Sequence, residues 1–574
     1  MKTDTGTEGQ GGRAKPMPAS DLTINTKSRG FFAALALVAL LFAWTAVGPC
    51  LDNGFINWDE NFTVVNNPRI KTLTPSGVLA IFTGRDLGMY SPLATLSYAV
   101  NYHFSGLSPK TYHATAVALH LASTVLVMAL VRLLLPGVWP AFLCALFFGL
   151  HPAHVESVAW AAERKDQLYS FFYLFSLVAY ALSLGGRKTY LLSLLLFLCS
   201  LLSKPMAVTL PAALILIDYL KLEKIELRRW IDKIPFFLLA GVFSALQASE
   251  AAAAAQWPSL ARRLALAVYN LGFYVYTLAW PFDLSAMYVL PLGGAKGMYL
   301  IAAAAAVGAA LLWHYGRGNK AVMFGAAFYA VMLLPVLQFF PFGPVVAADR
   351  YTYLSSVGVF IAAAAAGAGA WARAGGRARK ILVFATVIVA LVFTVTARVR
   401  CAVWRDGVSL WSDTLRRQPS SGQALVGLCS AYLQAGRPEA EGCLRAAIER
   451  YPEKDDNFSN LGMLLARRGD LAAAQPYFEA AVKLNPAHAL ALYSLGRIAL
   501  VKKDAALAER LFLRSAAADA AFAPVWRELA GLALGRKDKV KARLYSERAL
   551  AADPAGPAAP APGAVKVPGG APLK

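Results

Sequence analysis

The chain has 574 residues, 57% of them hydrophobic and only 16% charged, with a mean hydropathy of +0.48. Soluble globular proteins carry about 25% charged residues, so this composition excludes an ordinary soluble enzyme and points to a polytopic membrane protein. The formal charge of +22 then reads as basic cytoplasmic loops. With no finger, helix-turn-helix or basic aromatic groove in the sequence, nucleic acid is not an expected partner.

Residues 1–30 are polar and Gly-rich and read as a cytoplasmic tail. The apolar run 31–50 follows Lys27 and Arg29. It is too long for a signal-peptide core and lacks a clear Ala-x-Ala exit, so it is expected to remain as a spanning helix. The loop 52–112 contains Pro68, Pro75, Pro92 and Pro109, yet aromatic and apolar residues recur along it. It is expected to be an ordered outer loop with short interfacial helices, since loops of this length are usually functional or disordered. Further spanning runs lie near 113–135, 138–156, 167–184, 189–203, 205–220, 234–251, 297–315, 320–340, 351–372 and 381–397. The runs 189–203 and 205–220 are parted only by Ser203-Lys204-Pro205, which implies a hairpin turning near one membrane face. A twelfth run, 264–280, is rich in interface-seeking aromatics (Tyr269, Tyr274, Tyr276, Trp280). Placing it in the outer interface leaves Arg317, Lys320 and the cluster Arg373, Arg377, Arg379, Lys380 on the inner side. The expectation is eleven spans with the C-terminal part outside.

From about residue 400 the pattern changes. Prolines 419, 452, 486 and 554 are spaced by one or two periods of 33–34 residues, the signature of tetratricopeptide repeats. The clearest copy reads Leu461-Gly462, Ala474, Phe478, Ala481, Pro486. The next has Leu495-Gly496, Ala508, Phe512 and Ser515, then a third Leu529, Ala542, Ala549 and Pro554. An earlier copy has Leu428, Tyr432, Ala440, Leu444, Ala447 and Pro452. A helical solenoid over 403–554 is expected, with a disordered Pro/Ala/Gly-rich tail at 555–574. Cys50, Cys144 and Cys199 lie in or beside apolar runs and read as buried, inert thiols. Cys429 and Cys443, 14 apart in a helical pair, can bridge only in an oxidising compartment.

Polar groups collect at what this threading makes the outer face. They are Asp59-Glu60 in the first loop, His151 and His154 with Glu163-Arg164-Lys165-Asp166 after the third span, Lys204 in the hairpin turn, and Asp349-Arg350-Tyr351 before the tenth span. Taken singly, each reads as a surface pair, a helix cap or a snorkelling cation. Their convergence on one face is the functional clue, because ionisable groups at membrane depth are costly. A carboxylate there can act as general base, and fixed cations can hold a lipid-linked phosphate leaving group at the interface. His151 and His154 lack a third ligand at typical spacing, so a metal site is not expected. P-loop, GxSxG and HExxH motifs are absent.

The stretch His151-Pro-Ala-His-Val-Glu-Ser-Val-Ala-Trp-Ala-Ala-Glu-Arg-Lys-Asp166 resembles the hallmark of the transmembrane and tetratricopeptide-repeat proteins. These are O-mannosyltransferase-like members of the GT-C glycosyltransferase superfamily. Ser203-Lys-Pro-Met-Ala-Val-Thr-Leu-Pro211 with Asp218-Tyr219, Trp280-Pro-Phe-Asp-Leu-Ser285 and Ala348-Asp-Arg-Tyr-Thr-Tyr353 are similar to further signatures of that family. The resemblance implies an all-α, GT-C-type bundle over 31–400 followed by the repeat solenoid. It also implies a transferase that uses a polyprenyl-phosphate sugar, with mannose the expected sugar, and needs no metal or other cofactor. The Asp-Glu pair of the protein O-mannosyltransferases carries over to Asp59 as general base and Glu60 in support. His151, His154, Glu163, Arg164, Asp166, Lys204, Arg350 and Tyr351 are the expected donor-phosphate and substrate contacts. The expected acceptor is a Ser or Thr hydroxyl of a protein held by the repeats, in the periplasm of a bacterial inner-membrane enzyme. The rival readings are a GT-C enzyme that decorates a lipid or polysaccharide, and a non-catalytic membrane scaffold displaying the repeats.

Overall fold

The computed structural model describes residues 26–185, 187–251, 259–289, 294–339 and 345–553. Of the expected tails, 1–25 and 555–574 lie outside the described residues, and 26–30 begin the first helix. Throughout the described residues the protein is all-α. It is a membrane protein, with several apolar helices leading into a repeat solenoid.

The first helix, Thr26–Val47, has no charged residue after Arg29. At about 1.5 Å per residue its 22 residues match the ~30 Å apolar thickness of a bilayer. Among the described residues six helices are long and apolar enough to cross, and the bent pair Val138–Leu150 and Pro152–Ala159 makes a seventh. The remaining expected spans are shorter, broken or more polar. The run 189–203 is the short helix Tyr190–Ser203, and 205–220 is divided between Pro205–Thr209 and Leu210–Lys221. The run 167–184 lies in Arg164–Ser183, which opens with three charged residues, and 320–340 forms Lys320–Leu333. The run 264–280 lies in Leu260–Ala279, with Trp280 capping its C-terminal end.

The loop 52–112 is ordered, and its prolines set its helices. Pro68, Pro75, Pro92 and Pro109 each open one, where the missing N–H is needed least. The chain bends by 53° at His151-Pro152, because Pro152 removes a donor and restricts the residue before it. Lys204 is extended before Pro205 for the same reason. Lys320–Leu333 and Thr352–Arg373 cross at Gly325 and Gly358, where a Cβ added at Gly358 would lie 2.4 Å from the Gly325 carbonyl oxygen. Such close backbone approach is how small residues join helices in lipid.

Beyond Gly376–Val403 and the helix Gly407–Arg417, four helix pairs follow among the described residues. They are Gly422–Gln434 with Ala440–Arg450, Asp455–Arg467 with Leu471–Leu484, Ala489–Val501 with Ala505–Ala518, and Ala523–Gly535 with Lys539–Ala552. The repeat chemistry is visible in contacts. A Cβ at Gly462 would sit 2.9 Å from the Phe478 ring, and one at Gly496 2.5 Å from the Phe512 ring. Asp470, Asp504 and Asp538, also 34 apart, cap the second helices of successive pairs by accepting from backbone N–H groups. Cys429 and Cys443 form a disulfide across the first pair.

The solenoid is not a loose appendage. One apolar cluster runs from Ala46 and Cys50 through Val155 and Trp160 to Ala397, Trp404, Trp411 and Leu428. Asn57 sits at this junction, accepting from Trp411 Nε1 at 3.0 Å and donating to the Gly427 carbonyl at 2.9 Å. At the other end of the solenoid Asp553 pairs with Lys71 of the loop 52–112 at 2.8 Å.

Candidate active site

The two chain breaks described above shape the site. Between Pro152 and Arg164 the backbone leaves regular helix twice, which frees N–H groups in a region poor in water. Glu60 meets them. One oxygen accepts from Ala161 N at 2.9 Å, the other accepts from Ile56 N, and Ala162 N adds a third donor. Glu60 is 1% exposed. Burial raises its pKa, and the backbone donors work against that. It locks the outer loop onto the 161–162 turn and is not among the residues lining the cavity.

Asp59, one residue earlier, points the other way. It lines a cavity of about 190 Å³ together with Glu163, Lys165, Lys204, Arg350 and Tyr351 on one side and Asp86, Ser91, Thr95 and Tyr98 on another. Five of the sequence-predicted residues, Asp59, Glu163, Lys204, Arg350 and Tyr351, thus meet around one space. They come from the first loop, the 161–166 turn, the hairpin turn and the short turn Asp349–Tyr351 that leads into Thr352–Arg373.

The cations of this cavity are tied to buried acids. Glu163 lies 3.3 Å from Lys165, 3.6 Å from Lys204 and 3.6 Å from Arg350 Nε. Burial raises the Glu163 pKa, but Lys165, Lys204 and Arg350 together outweigh it and hold the group well below the usual carboxylate range. Lys204 also pairs with Asp166. Burial opposes its charge, while Asp166 and Glu163 overcome that and raise it, so it is an ammonium. Asp166 is pushed up to about 7, first by burial and then by Glu163, against the pull of Lys204. Arg350 donates to Glu156 from both its guanidinium and its backbone N–H, and it lies over the rings of Trp160 (5.4 Å) and Tyr351 (5.0 Å). The adjacent Asp349 takes different partners, accepting from Tyr288 Oη with Arg400 at 3.9 Å.

Asp59 differs from these acids. Among the described residues its carboxylate makes no ion pair and no hydrogen bond; its backbone carbonyl instead accepts from Phe62 N, Thr63 N and Thr63 Oγ1. Its pKa is raised, first by burial and further by Glu163, with Lys165 and Arg350 opposing. The neighbouring Trp58 stacks on Trp160 at 4.4 Å and packs on Trp411 at 4.9 Å, which fixes the loop between the broken helix and the solenoid.

Three expected contacts lie elsewhere. His151 Nε2 bonds to the Leu278 carbonyl at 2.9 Å, and His154 Nδ1 to the Phe148 carbonyl at 2.8 Å. His154 Nε2 is 3.1 Å from Ser356 Oγ. Both rings are buried and outside the cavity lining; His154 meets the Phe148 carbonyl left without a donor by Pro152, and His151 meets a carbonyl in the last turn of Leu260–Ala279. Arg164 is fully buried, donating to Asn101 and to the Tyr112 carbonyl at 2.6 Å, over the Tyr98 ring. It braces the outer loop from behind. Asp166 is the intermediate case: it does not line the cavity, but it holds Lys204, which does.

Sequence reasoning left Asp86, Glu156 and Lys165 without roles. Glu156 and Lys165 lay inside the motif stretch that was read, so their charge was a usable signal. Asp86 gave none. It is held by Asn67 Nδ2 (3.0 Å), Arg69 and Thr95 Oγ1, partners 9–19 residues away in a loop without periodicity.

A tetratricopeptide-repeat family model matches residues 459–524. The chain is similar to protein O-mannosyl-transferase Tmtc1 of Drosophila melanogaster, with 30% identity over 33% of this chain and 23% of that protein. It is also similar to protein O-mannosyl-transferase TMTC1 of Homo sapiens, 24% identical over 81% of this chain and 60% of that protein. The chain therefore spans less than two thirds of the length of these curated relatives. Among solved structures, ArnT from Cupriavidus metallidurans bound to undecaprenyl phosphate aligns over 88% of this chain and 81% of its own. The identity there is 14% and the TM-score 0.29. The resemblance read from the motifs is thus met by homologues that are named protein O-mannosyl-transferases.

Proposed function

We propose that the protein transfers a sugar, mannose in the first instance, from a polyprenyl-phosphate donor to a Ser or Thr hydroxyl of a protein. The observation that carries this reading is the contrast inside one cavity. Asp59 is an unpaired carboxylate whose pKa is raised, and it faces Lys165, Lys204 and Arg350, which buried acids hold in place. Asp59 takes the proton of the acceptor hydroxyl as its oxygen attacks the anomeric carbon. The bond from that carbon to phosphate breaks with inversion, and the lipid phosphate leaves with one more negative charge. The three cations stabilise that charge in a site largely shielded from water. No enzyme-bound intermediate is needed.

The homologues' names support the reaction class. Two features support a periplasmic site in a bacterial inner membrane. The basic turn Arg373, Arg377, Arg379, Lys380 lies at the far ends of Thr352–Arg373 and Gly376–Val403, about 33 Å from the site by helix length, as cytoplasmic residues would. The Cys429–Cys443 disulfide fits an oxidising compartment. The solenoid, fixed to the site loop through Trp58, Asn57 and Trp411, is placed to present an acceptor segment.

The test is transfer by purified full-length protein given polyprenyl-phosphate mannose and a periplasmic extract, wild type against Asp59→Asn. Loss of at least about 10²-fold in a folded variant is expected. No transfer by wild type from mannose, glucose or aminoarabinose donors would overturn the reading. Label found in lipid or polysaccharide rather than protein would move the acceptor.

A further inference from the structure

The last residues of the first span and the last residues of Gly376–Val403 meet at the site face, and there two cysteines face each other. Cys50 Sγ lies 3.0 Å from Cys401 Sγ, across 351 positions of sequence, and both side chains are fully buried. Their surroundings hold them there. Ala46 and Ala397, both fully buried, let the helices approach closely. Cys401 Sγ also lies 3.5 Å from the Ala46 carbonyl. The backbones are joined just beyond, with Asn53 Nδ2 donating to the Cys401 carbonyl at 3.2 Å and Gly54 N to the Arg405 carbonyl at 2.9 Å. Two thiols at this separation need only a shift of about 1 Å to reach disulfide bonding distance.

We infer that Cys50 and Cys401 are joined by a disulfide in the mature protein, a covalent staple between the first and the last long apolar helices. The inference rests on the reading that the site face is exposed to an oxidising compartment. The chemistry is thiol–disulfide exchange with the disulfide of an exported oxidoreductase. One cysteine thiolate attacks that disulfide and forms a mixed disulfide. The second cysteine then displaces the oxidoreductase sulfur, closing the Cys50–Cys401 bond. Two protons leave the cysteines, and the two electrons reduce the oxidoreductase to its dithiol. Because both sulfurs are buried in the closed fold, the exchange belongs to folding, before the helix ends pack. The staple fixes residues 53–60, which carry Trp58, Asp59 and Glu60, to the point where the chain enters the solenoid.

The test uses the full-length protein in its native membranes. The membranes are acid-quenched, the protein is denatured and alkylated with N-ethylmaleimide without reductant, then digested and analysed by mass. The expected result is a Cys50 peptide joined to a Cys401 peptide, two hydrogens lighter than the sum, that separates on reduction. In Cys50→Ser the Cys401 peptide then carries the alkyl group quantitatively. N-ethylmaleimide on both Cys50 and Cys401, with Cys429 and Cys443 still joined, overturns the staple and leaves the compartment reading intact. Alkylation of all four overturns both.

Discussion

Asp59 and Glu60 are neighbours of similar chemistry in opposite surroundings, one lining the cavity and the other bonded to backbone N–H groups, and one pair of substitutions separates them. Glu60 is pushed up to about 8 by burial, so the comparison is made at pH 9, where it is a carboxylate; in Glu60→Gln one of its oxygens becomes an NH₂ group. Donors converge on Glu60 from two sides, Ile56 N on one and Ala161 N with Ala162 N on the other. The amide can satisfy one side only. The best orientation keeps its oxygen toward Ala161 and Ala162 and orphans Ile56 N. A buried donor left without a partner costs about 1–3 kcal/mol. At roughly 2–4 °C per kcal/mol for a unit of 150–250 residues, and less for a longer chain, the melting temperature should fall by a few degrees. In Asp59→Asn no ion pair or hydrogen bond of the carboxylate is lost, so the melting temperature should stay within about 1 °C, a change of under ~0.5 kcal/mol, while transfer disappears. The assay is thermal unfolding of detergent-purified protein, followed by intrinsic tryptophan fluorescence, beside the transfer assay. If Glu60→Gln melts with wild type, or Asp59→Asn is the less stable of the two, the division of labour drawn here is wrong.

Three further outcomes follow from single contacts. Asp166, pushed up to about 7 from an ordinary 3.8, stays protonated in the folded protein over a range where the unfolded chain has lost that proton. Its contribution to stability is therefore full below the ordinary value and is lost as pH rises toward 7, at no more than about 1.4 kcal/mol per pH unit. Asp166→Asn should flatten the melting temperature between pH 5 and 7, and an unchanged slope there would refute the assignment. Gly358→Ala places a Cβ 2.4 Å from the Gly325 carbonyl oxygen and should destabilise by about 1–3 kcal/mol; a variant as stable as wild type in thermal unfolding would show that the crossing is looser than described. Lys503 and Lys537 hold φ of 65° and 61° where two earlier repeats have Gly436 and Gly469. Lys503→Gly should accordingly raise the melting temperature, by an amount corresponding to about 1 kcal/mol or less, and a fall would mean that the lysine side chain contributes more than its backbone strain removes.

The sequence by itself determined whatever depends on near neighbours or on a fixed period. The 34-residue recurrence of Gly462 and Gly496, with Phe478 and Phe512, specifies the solenoid because each repeat packs only on itself and the next. Prolines 75, 92 and 109 placed the helices of the outer loop, since proline acts on its own residue and the one before. The charge of Asp59, Glu163, Lys204 and Arg350 marked them as a set, because uncompensated charge at membrane depth needs a reason wherever it falls. Tertiary structure decided which charges face the cavity and which are spent on the backbone. His154 and Glu60 looked like site residues and bond to groups freed by the breaks around Pro152 and Trp160, while His151 bonds to the Leu278 carbonyl at the end of another helix. Those vacancies exist only once the helix has bent and its neighbours are in place. The choice of Glu156 over the adjacent Asp349 as the partner of Arg350, the holding of Asp86 by Arg69, and the meeting of Cys50 with Cys401 are likewise properties of packing. No periodicity links those positions, so only the folded bundle brings them together.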